Sequence, residues 1–249
     1  MSVAASPPAS RCAPFLWIHA LLIPAGLALA AAAARSTGLD EHVSTFFFDA
    51  VAQTFPARSS TLLELAGHRL AKSAIAALWM TLCAAALAAS VIDRLQRLRA
   101  ILWTTLIAMA LGPCLVVVLK DISAFHCPWD LKSFGGFADY GSAWFVSPVQ
   151  AGRCFPSGHA AGGFSLVALM FAGIAADHTR LRTIGLVAAL CAGTAFSVVR
   201  IAQGAHFLSH NLWSAAIDWC AAALVFAPLL AHQARVRRAP SPDLLLANR

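Results

Sequence analysis

Charged residues are scarce in this sequence. Only 12% of the 249 residues are Asp, Glu, Lys or Arg, whereas 59% are hydrophobic. Soluble domains typically carry about 25% charged residues, so this composition argues against a water-soluble protein. The sequence therefore predicts an integral membrane protein, and its length is consistent with a single domain.

Two further absences narrow the function. The seven cysteines include no CxxC pair, which argues against a zinc site built from clustered thiolates. The Lys and Arg residues occur in short groups beside apolar segments instead of forming one basic stretch. That distribution argues against a nucleic-acid partner and is typical of loops between membrane spans.

Six apolar segments are present, each close to the roughly 20 residues that a bilayer requires. The predicted fold class is all-α, a polytopic six-helix transmembrane bundle. Residues 1–13 are predicted to be disordered, residues 14–232 to form the membrane domain and residues 233–249 to form a basic tail. The predicted spans are 15–34, 71–92, 100–119, 158–176, 183–203 and 207–231.

The arginines outside these spans predict the orientation of the chain. Segments 93–99, 177–182 and 233–249 each contain at least two arginines, and six spans place all three on one side. Basic loops mark the cytoplasmic side, so both termini are predicted to be cytoplasmic. The alanine-rich composition suggests a GC-rich bacterium, and the predicted location is therefore the bacterial inner membrane, with residues 121–157 at its outer face.

Polar residues at the outer face suggest an anion site. Ser157 is placed to cap a helix that starts at Gly158. The N-terminus of a helix offers free N–H groups and a partial positive charge. Arg153 and His159 flank this position, so a phosphate could meet donors, a cation and an imidazole together. The simpler interpretation is an ordinary capped helix with an unrelated histidine.

Two more groups of residues are predicted to reach the same depth. Lys120 ends the third span, and Arg200, His206 and His210 lie near the junction of the fifth and sixth spans. Fixed cations and helix N–H groups can stabilise a phosphate during phosphoryl transfer. One histidine can attack phosphorus while a second protonates the leaving oxygen, and this scheme needs no metal or other cofactor.

In order and spacing, these groups resemble the signature of the type 2 phosphatidic acid phosphatase superfamily. That signature reads Lys-x6-Arg-Pro, then Pro-Ser-Gly-His, then Ser-Arg-x5-His-x3-Asp, and it is matched here between Lys120 and His210. The resemblance implies a six-span fold with its site on the outer face and a metal-independent phosphatase for a lipid-linked phosphate or diphosphate. It also implies the roles of individual residues: His206 as nucleophile, His159 as general acid, and Lys120, Ser157, Gly158 and Arg200 as phosphate ligands.

The sequence departs from the signature at three positions. Cys127 replaces the arginine of the first motif, His210 replaces the aspartate of the third, and Val199 replaces its serine. Because the outer loop should be oxidising, we expect a disulfide between Cys127 and Cys154. Arg153 is then expected to supply the missing guanidinium. His210 is expected to accept the Nδ1 proton of His206, as two residues four apart share a helix face.

Other functions fit parts of the same pattern. The chain could transfer the phosphoryl group to a second lipid, or it could be an inactive scaffold that binds lipid phosphates. His206 and His210 could ligate a metal with His159, but no neighbouring carboxylate completes that set and the nearby cations would repel a metal. A transporter is disfavoured because no charged residue is expected well inside a span and no inverted repeat is evident. The bilayer and a membrane lipid phosphate are the predicted partners, and the oligomeric state stays open.

Overall fold

Helices dominate the computed structural model, which describes residues 14–65, 71–141, 143–147 and 149–237. No strand is formed within those ranges, only isolated bridges. In chain order the main helices are α1 (Pro14–Ser36), α2 (Leu39–Thr45), α3 (Ala71–Val91), α4 (Gln96–Asp121), α5 (Gly158–Phe164), α6 (Val167–Ala175), α7 (Thr179–Ala202) and α8 (Leu208–Val236).

The described residues contain six helical segments that are long and apolar enough to cross a membrane. Helices α1, α3, α4, α7 and α8 each supply one, and α5 followed by α6 supplies the other. Only 11% of the residues in the apolar windows of α1 and α3, and 28% in that of α7, are buried inside the protein, as expected where lipid covers the surface. The predicted all-α polytopic bundle is therefore confirmed.

The fourth span differs from the continuous helix predicted over 158–176. A turn at Ser165 and Leu166 separates α5 from α6. Two adjacent glycines, Gly162 and Gly163, weaken the helix there, and the Ser165 hydroxyl donates a hydrogen bond to the Gly162 carbonyl at 2.7 Å. The break ends α5 after two turns, so α5 is a short helix whose N-terminus points to the outer loop.

The last helix also differs from its prediction, because α8 continues past residue 231 to Val236. The Gln233 side chain donates to the Ala175 carbonyl at 3.1 Å, and Arg237 lies 3.6 Å from Asp177. The start of the predicted tail is thus helical and packs on the α6–α7 turn. The predicted disordered segment 1–13 and the rest of the tail, 238–249, lie outside the described residues.

Helix α8 occupies the centre of the bundle and packs against α1, α4, α5 and α6. Its buried positions are mostly small, so neighbouring helices can approach closely. Larger side chains such as Met109, Phe171 and Phe226 fill the core between α4, α6 and α8. Because α8 packs against several helices, its first turn has a fixed position at the outer end of the bundle.

Glycines bring α5 and α7 into backbone contact. A Cβ atom on Gly163 would lie only 2.6 Å from the backbone nitrogen of Gly193. No larger residue can therefore occupy position 163 without moving α7. The close approach places the start of α5 and the end of α7, where Arg200 lies, at the same end of the bundle.

A carboxyl group lies inside the last span, contrary to the sequence analysis. Asp218 of α8 is 1% exposed and packs against Gly112 of α4. A Cβ on Gly112 would come within 1.9 Å of the Asp218 Oδ1 atom, so only glycine fits there. Neither carboxyl oxygen has a hydrogen-bond partner among the described residues. Asp218 forms part of the α4–α8 contact and does not line the outer site.

Candidate active site

The Pro-Ser-Gly-His segment forms the predicted capped helix start. Ser157 is the N-cap of α5, and its hydroxyl accepts a hydrogen bond from the Ala160 N–H at 3.4 Å. The Ser157 N–H donates to the His210 carbonyl at 3.2 Å, and the Ser214 hydroxyl donates to the Ser157 carbonyl at 2.8 Å. The N-terminus of α5 is therefore tied directly to the first turns of α8.

Arg200 and His206 are held together by the turn between α7 and α8. The Arg200 carbonyl accepts the His206 N–H at 3.3 Å. The Arg200 guanidinium donates to the Gln203 side chain at 2.8 Å and lies 5.7 Å above the Trp129 ring. Gln203 is only 2% exposed, so it fixes the direction of the guanidinium. Neither Gln203 nor Trp129 carried a motif signal in the sequence.

The surroundings of His206 favour its neutral form. The ring is 3% exposed, and burial lowers its pKa well below the ordinary value of 6.5. The nearby His210, Lys120, Arg200 and His159 side chains lower the pKa further. A neutral imidazole retains a lone pair at neutral pH, which a nucleophile requires. These interactions also place Lys120, His159 and Arg200 within electrostatic range of His206.

Cys127 and Cys154 form a disulfide, with their Cα atoms 5.1 Å apart. Cys154 is fully buried, and its Sγ atom lies 3.5 Å from Nδ1 of His206. The disulfide thus joins the segment that follows Lys120 to the segment that precedes Ser157, and it abuts the candidate nucleophile. With Nδ1 turned toward sulfur, Nε2 is the His206 nitrogen available for attack.

Lys120 stands at the outer end of a cavity of about 580 Å³ between α3, α4, α5 and α7. Its Nζ atom is 3.9 Å from the position that a Cβ on Gly158 would occupy. The polar end of the cavity is formed by Lys72, Lys120 and His159. The remainder is mainly apolar, with lining residues that include Ile75, Trp79, Met80, Met109, Val117 and Phe196.

The predicted role of His210 differs from its observed contacts. His206 precedes Phe207, the N-cap of α8, so the two histidines do not share a regular helix face. Their ring centroids are 5.9 Å apart, and His210 Nδ1 has no hydrogen-bond partner among the described residues. His206 Nδ1 faces the disulfide instead. His210 packs between aromatic rings, with the Phe155 and Phe207 centroids 5.1 and 5.4 Å away.

Of the predicted site residues, Lys120, Gly158 and His159 line the cavity. Arg153 does not line it, and neither do Ser157, Arg200 and His206. The Arg153 Nε atom lies 3.4 Å from Asp121 Oδ1, and both side chains are more than half exposed. A counter-ion at the loop surface therefore holds the guanidinium outward, while the adjacent Cys154 points into the protein. The expectation that Arg153 replaces the missing motif arginine is not supported by this geometry.

Only one group of potential metal ligands occurs among the described residues, namely Cys154, His206 and His210, whose ligand atoms lie within 4.8 Å of one another. His159 is not part of it. Cys154 is in a disulfide and offers no thiolate. Two histidines remain, which is fewer than the three protein ligands of a catalytic zinc site. The donor set does not fit a resident metal.

Comparison with known proteins agrees with the motif geometry. A family model described as the PAP2 superfamily matches residues 101–232, more than half of the chain. No curated protein and no solved structure is significantly similar to the chain. The match includes the whole segment from Lys120 to His210, and members of the family are mostly phosphatases of phosphate esters. The chain therefore belongs to the PAP2, or type 2 phosphatidic acid phosphatase, superfamily.

Proposed function

We propose that the protein is a metal-independent phosphatase of a lipid-linked phosphate or diphosphate. The observation that carries the proposal is the cavity at Lys120, Gly158 and His159, which continues as an apolar cleft between α3 and α4. A phosphate would bind at its polar end and a hydrocarbon chain along its apolar part. Met80 and Val117 line the cleft and are 62% and 58% exposed on the helix surface, so a lipid could enter sideways.

In the first step, His206 Nε2 attacks phosphorus and forms a P–N bond while the bond from phosphorus to the lipid-side oxygen breaks. His159 gives a proton to that oxygen, so the lipid leaves as an alcohol, or as a monophosphate when the substrate is a diphosphate. Lys120, Arg200 and the α5 N–H groups stabilise the charge on the phosphoryl oxygens. The low pKa of His206 keeps it neutral and ready for attack.

In the second step, water attacks the phosphorus of phospho-His206. His159 accepts a proton from the water, and the P–N bond breaks as inorganic phosphate forms. Both histidines return to their starting protonation states, and no redox change or cofactor is needed. The reaction therefore uses one imidazole as nucleophile and one as an acid that becomes a base.

The proposed location is the outer face of the bacterial inner membrane. The Arg-rich segments 93–99 and 177–182 lie at the ends of spans opposite to the candidate site, and positive loops favour the cytoplasm. Arg237 approaches Asp177 at that same end, which supports a cytoplasmic C-terminus. With six spans, we expect the segment that precedes α1 on the same side.

Binding of the lipid chain in the cleft can be tested by placing a bulky side chain there. Ala110 of α4 lines the cleft, and Ala110→Phe is expected to lower kcat/KM for a long-chain lipid phosphate at least about 10-fold, since extra bulk must displace the chain. A water-soluble short-chain phosphate ester should be affected less than about threefold. Phosphate release is measured with purified protein in detergent and EDTA.

The matched control is Ile107→Phe, because Ile107 lies on α4 but outside the cleft and is 55% exposed. It should behave as wild type with both substrates. An Ala110→Phe protein that loses both substrates equally, or neither, would contradict chain binding in the cleft. Loss of wild-type activity in EDTA would instead contradict the metal-independent reaction.

Lys72 is expected to favour substrates with a second anionic group. Gly162 and Ile75 are neighbours, with a Gly162 Cβ position 3.9 Å from Ile75 Cδ1. Lys72 precedes Ile75 by about one turn of α3, and Gly158 precedes Gly162 by about one turn of α5. Lys72 and Gly158 therefore lie at a similar depth, and Lys72 lines the same cavity as Lys120. Lys72→Met is therefore expected to lower kcat/KM about 10-fold for a polyprenyl diphosphate and less than threefold for the matching monophosphate. The difference corresponds to the loss of about one charge-assisted hydrogen bond to the second phosphate group.

Lys72→Arg serves as the comparison, since it keeps the positive charge. It should retain most of the preference for the diphosphate. Equal losses on both substrates in Lys72→Met would show that Lys72 does not discriminate between them.

A further inference from the structure

Asp40 is a buried carboxylate that no motif includes. It lies on α2, outside the matched family region, and its relative exposure is 0%. Its Oδ1 atom accepts the Ser209 N–H at 2.8 Å, and its Oδ2 atom accepts the Ser209 hydroxyl. Ser209 is in the first turn of α8, where a carboxylate satisfies a free N–H group and the helix dipole.

The first turn of α8 links the two halves of the candidate site. On one side it follows directly from the turn that carries His206. On the other side the His210 carbonyl accepts the Ser157 N–H, and the Ser214 hydroxyl donates to both the His210 and the Ser157 carbonyls. A shift of this turn would therefore change the position of His206 relative to the N-terminus of α5.

We propose that Asp40 is a positioning residue of the active site, whose carboxylate anchors the first turn of α8 and so fixes His206 against the phosphate-binding end of α5. The inference rests on the proposed phosphatase reaction. Asp40 touches neither phosphate nor the reacting nitrogen; it acts through Ser209. The anchor is separated from its target by 169 residues in sequence, and it comes from the part of the chain that precedes the family match.

The charge environment of Asp40 makes the anchor sensitive to pH. Burial raises the pKa of Asp40 above its ordinary 3.8, whereas the two Ser209 hydrogen bonds lower it. Glu41 raises the pKa and Arg35 lowers it. Tyr140 also interacts electrostatically with Asp40, and His210 follows Ser209 in α8.

The first test compares kcat with KM in Asp40→Ala and Asp40→Asn, using phosphate release from the substrate that the wild type turns over best. Asp40→Ala should lower kcat about 10- to 100-fold, the scale of a small misplacement of a catalytic group. KM should change less than threefold, because Lys120 and Arg200 remain in place. Asp40→Asn keeps one acceptor for the Ser209 N–H but loses the charge, so its kcat should lie between those of the wild type and Asp40→Ala. Glu41→Gln, a charge change on the adjacent residue, should behave as wild type.

The second test is the acid side of the kcat–pH profile. Protonated Asp40 is a weaker hydrogen-bond acceptor for the Ser209 N–H and hydroxyl. Activity should therefore fall as the pH falls through the Asp40 pKa. Ser209→Ala removes a bond that lowers this pKa, so the acid limb should move to higher pH. In Asp40→Asn this limb should be lost. A wild-type kcat in Asp40→Ala, or an acid limb that neither variant moves, would overturn the proposal.

These outcomes differ from failure of the phosphatase proposal itself. In that case the wild type would release no phosphate, or His206→Asn would release as much as the wild type. A protein that is active through His206 but indifferent to Asp40 would reject only the anchor.

Discussion

Replacing His206 with asparagine is expected to reduce kcat/KM for phosphate release by at least about 1,000-fold. Loss of the nucleophile in other covalent hydrolases removes most of the rate enhancement. Asparagine approximates the size of the imidazole but offers no nucleophilic nitrogen, so substrate binding by Lys120 and Arg200 should persist. The measurement is steady-state release of phosphate in detergent with EDTA.

The intermediate gives a second measurement for the same variant. Protein quenched during turnover of a ³²P-labelled substrate should carry label that is released by acid and retained in base, as expected for a P–N bond. His206→Asn should carry none. His232→Asn is the control, because His232 is exposed at the far end of α8. Label retained in His206→Asn at the wild-type level would disprove this nucleophile.

Cys127→Ala is expected to make the enzyme sensitive to zinc. The substitution frees the thiol of Cys154, and potential ligand atoms of Cys154, His206 and His210 lie within 4.8 Å of one another. A thiolate with two imidazoles matches the ligand types that zinc prefers, and its negative charge offsets the neighbouring cations. Micromolar zinc should then lower the rate of phosphate release at least about 10-fold, because zinc bound to His206 blocks the nucleophile. EDTA should restore the activity.

Cys154→Ala opens the same disulfide without providing the thiol, so it should stay insensitive to zinc. Both variants should lose about 3 kcal/mol of stability from the lost cross-link, which thermal unfolding would record as similar shifts. Equal zinc inhibition of the two variants would place the metal elsewhere. Zinc inhibition of the oxidised wild type would show that Cys154 is not required.

Features of the fold that depend on a local sequence signal were predictable. Hydropathy alone predicts the six spans, because the bilayer imposes a minimum apolar length on each. The helix start at Ser157 was predictable because an N-cap is a local interaction. Lys120, His159, Arg200 and His206 were identified by the spacing of three motifs. What these predictions share is that the signal lies within a few adjacent residues or a fixed interval.

Side-chain direction was not predictable in the same way. The relation between His206 and His210 assumed a regular helix, but α8 starts at Leu208, so spacing by four did not apply. Arg153 adjoins the motif in sequence, yet Asp121 draws its side chain to the surface. Asp40 was missed because its partner, Ser209, lies in a different helix and nothing local in either segment marks the pair.

The cleft between α3 and α4 opens toward the lipid-facing surface of the bundle. Its walls include Met80, Cys114 and Val117, all on the exposed helix surface. A substrate that enters there never passes through bulk water, so its encounter with the enzyme is a two-dimensional process. For the proposed lipid phosphate, the relevant concentration would be its mole fraction among the surrounding lipids. Adding inert lipid is then expected to slow turnover even when the total amount of substrate per volume is unchanged.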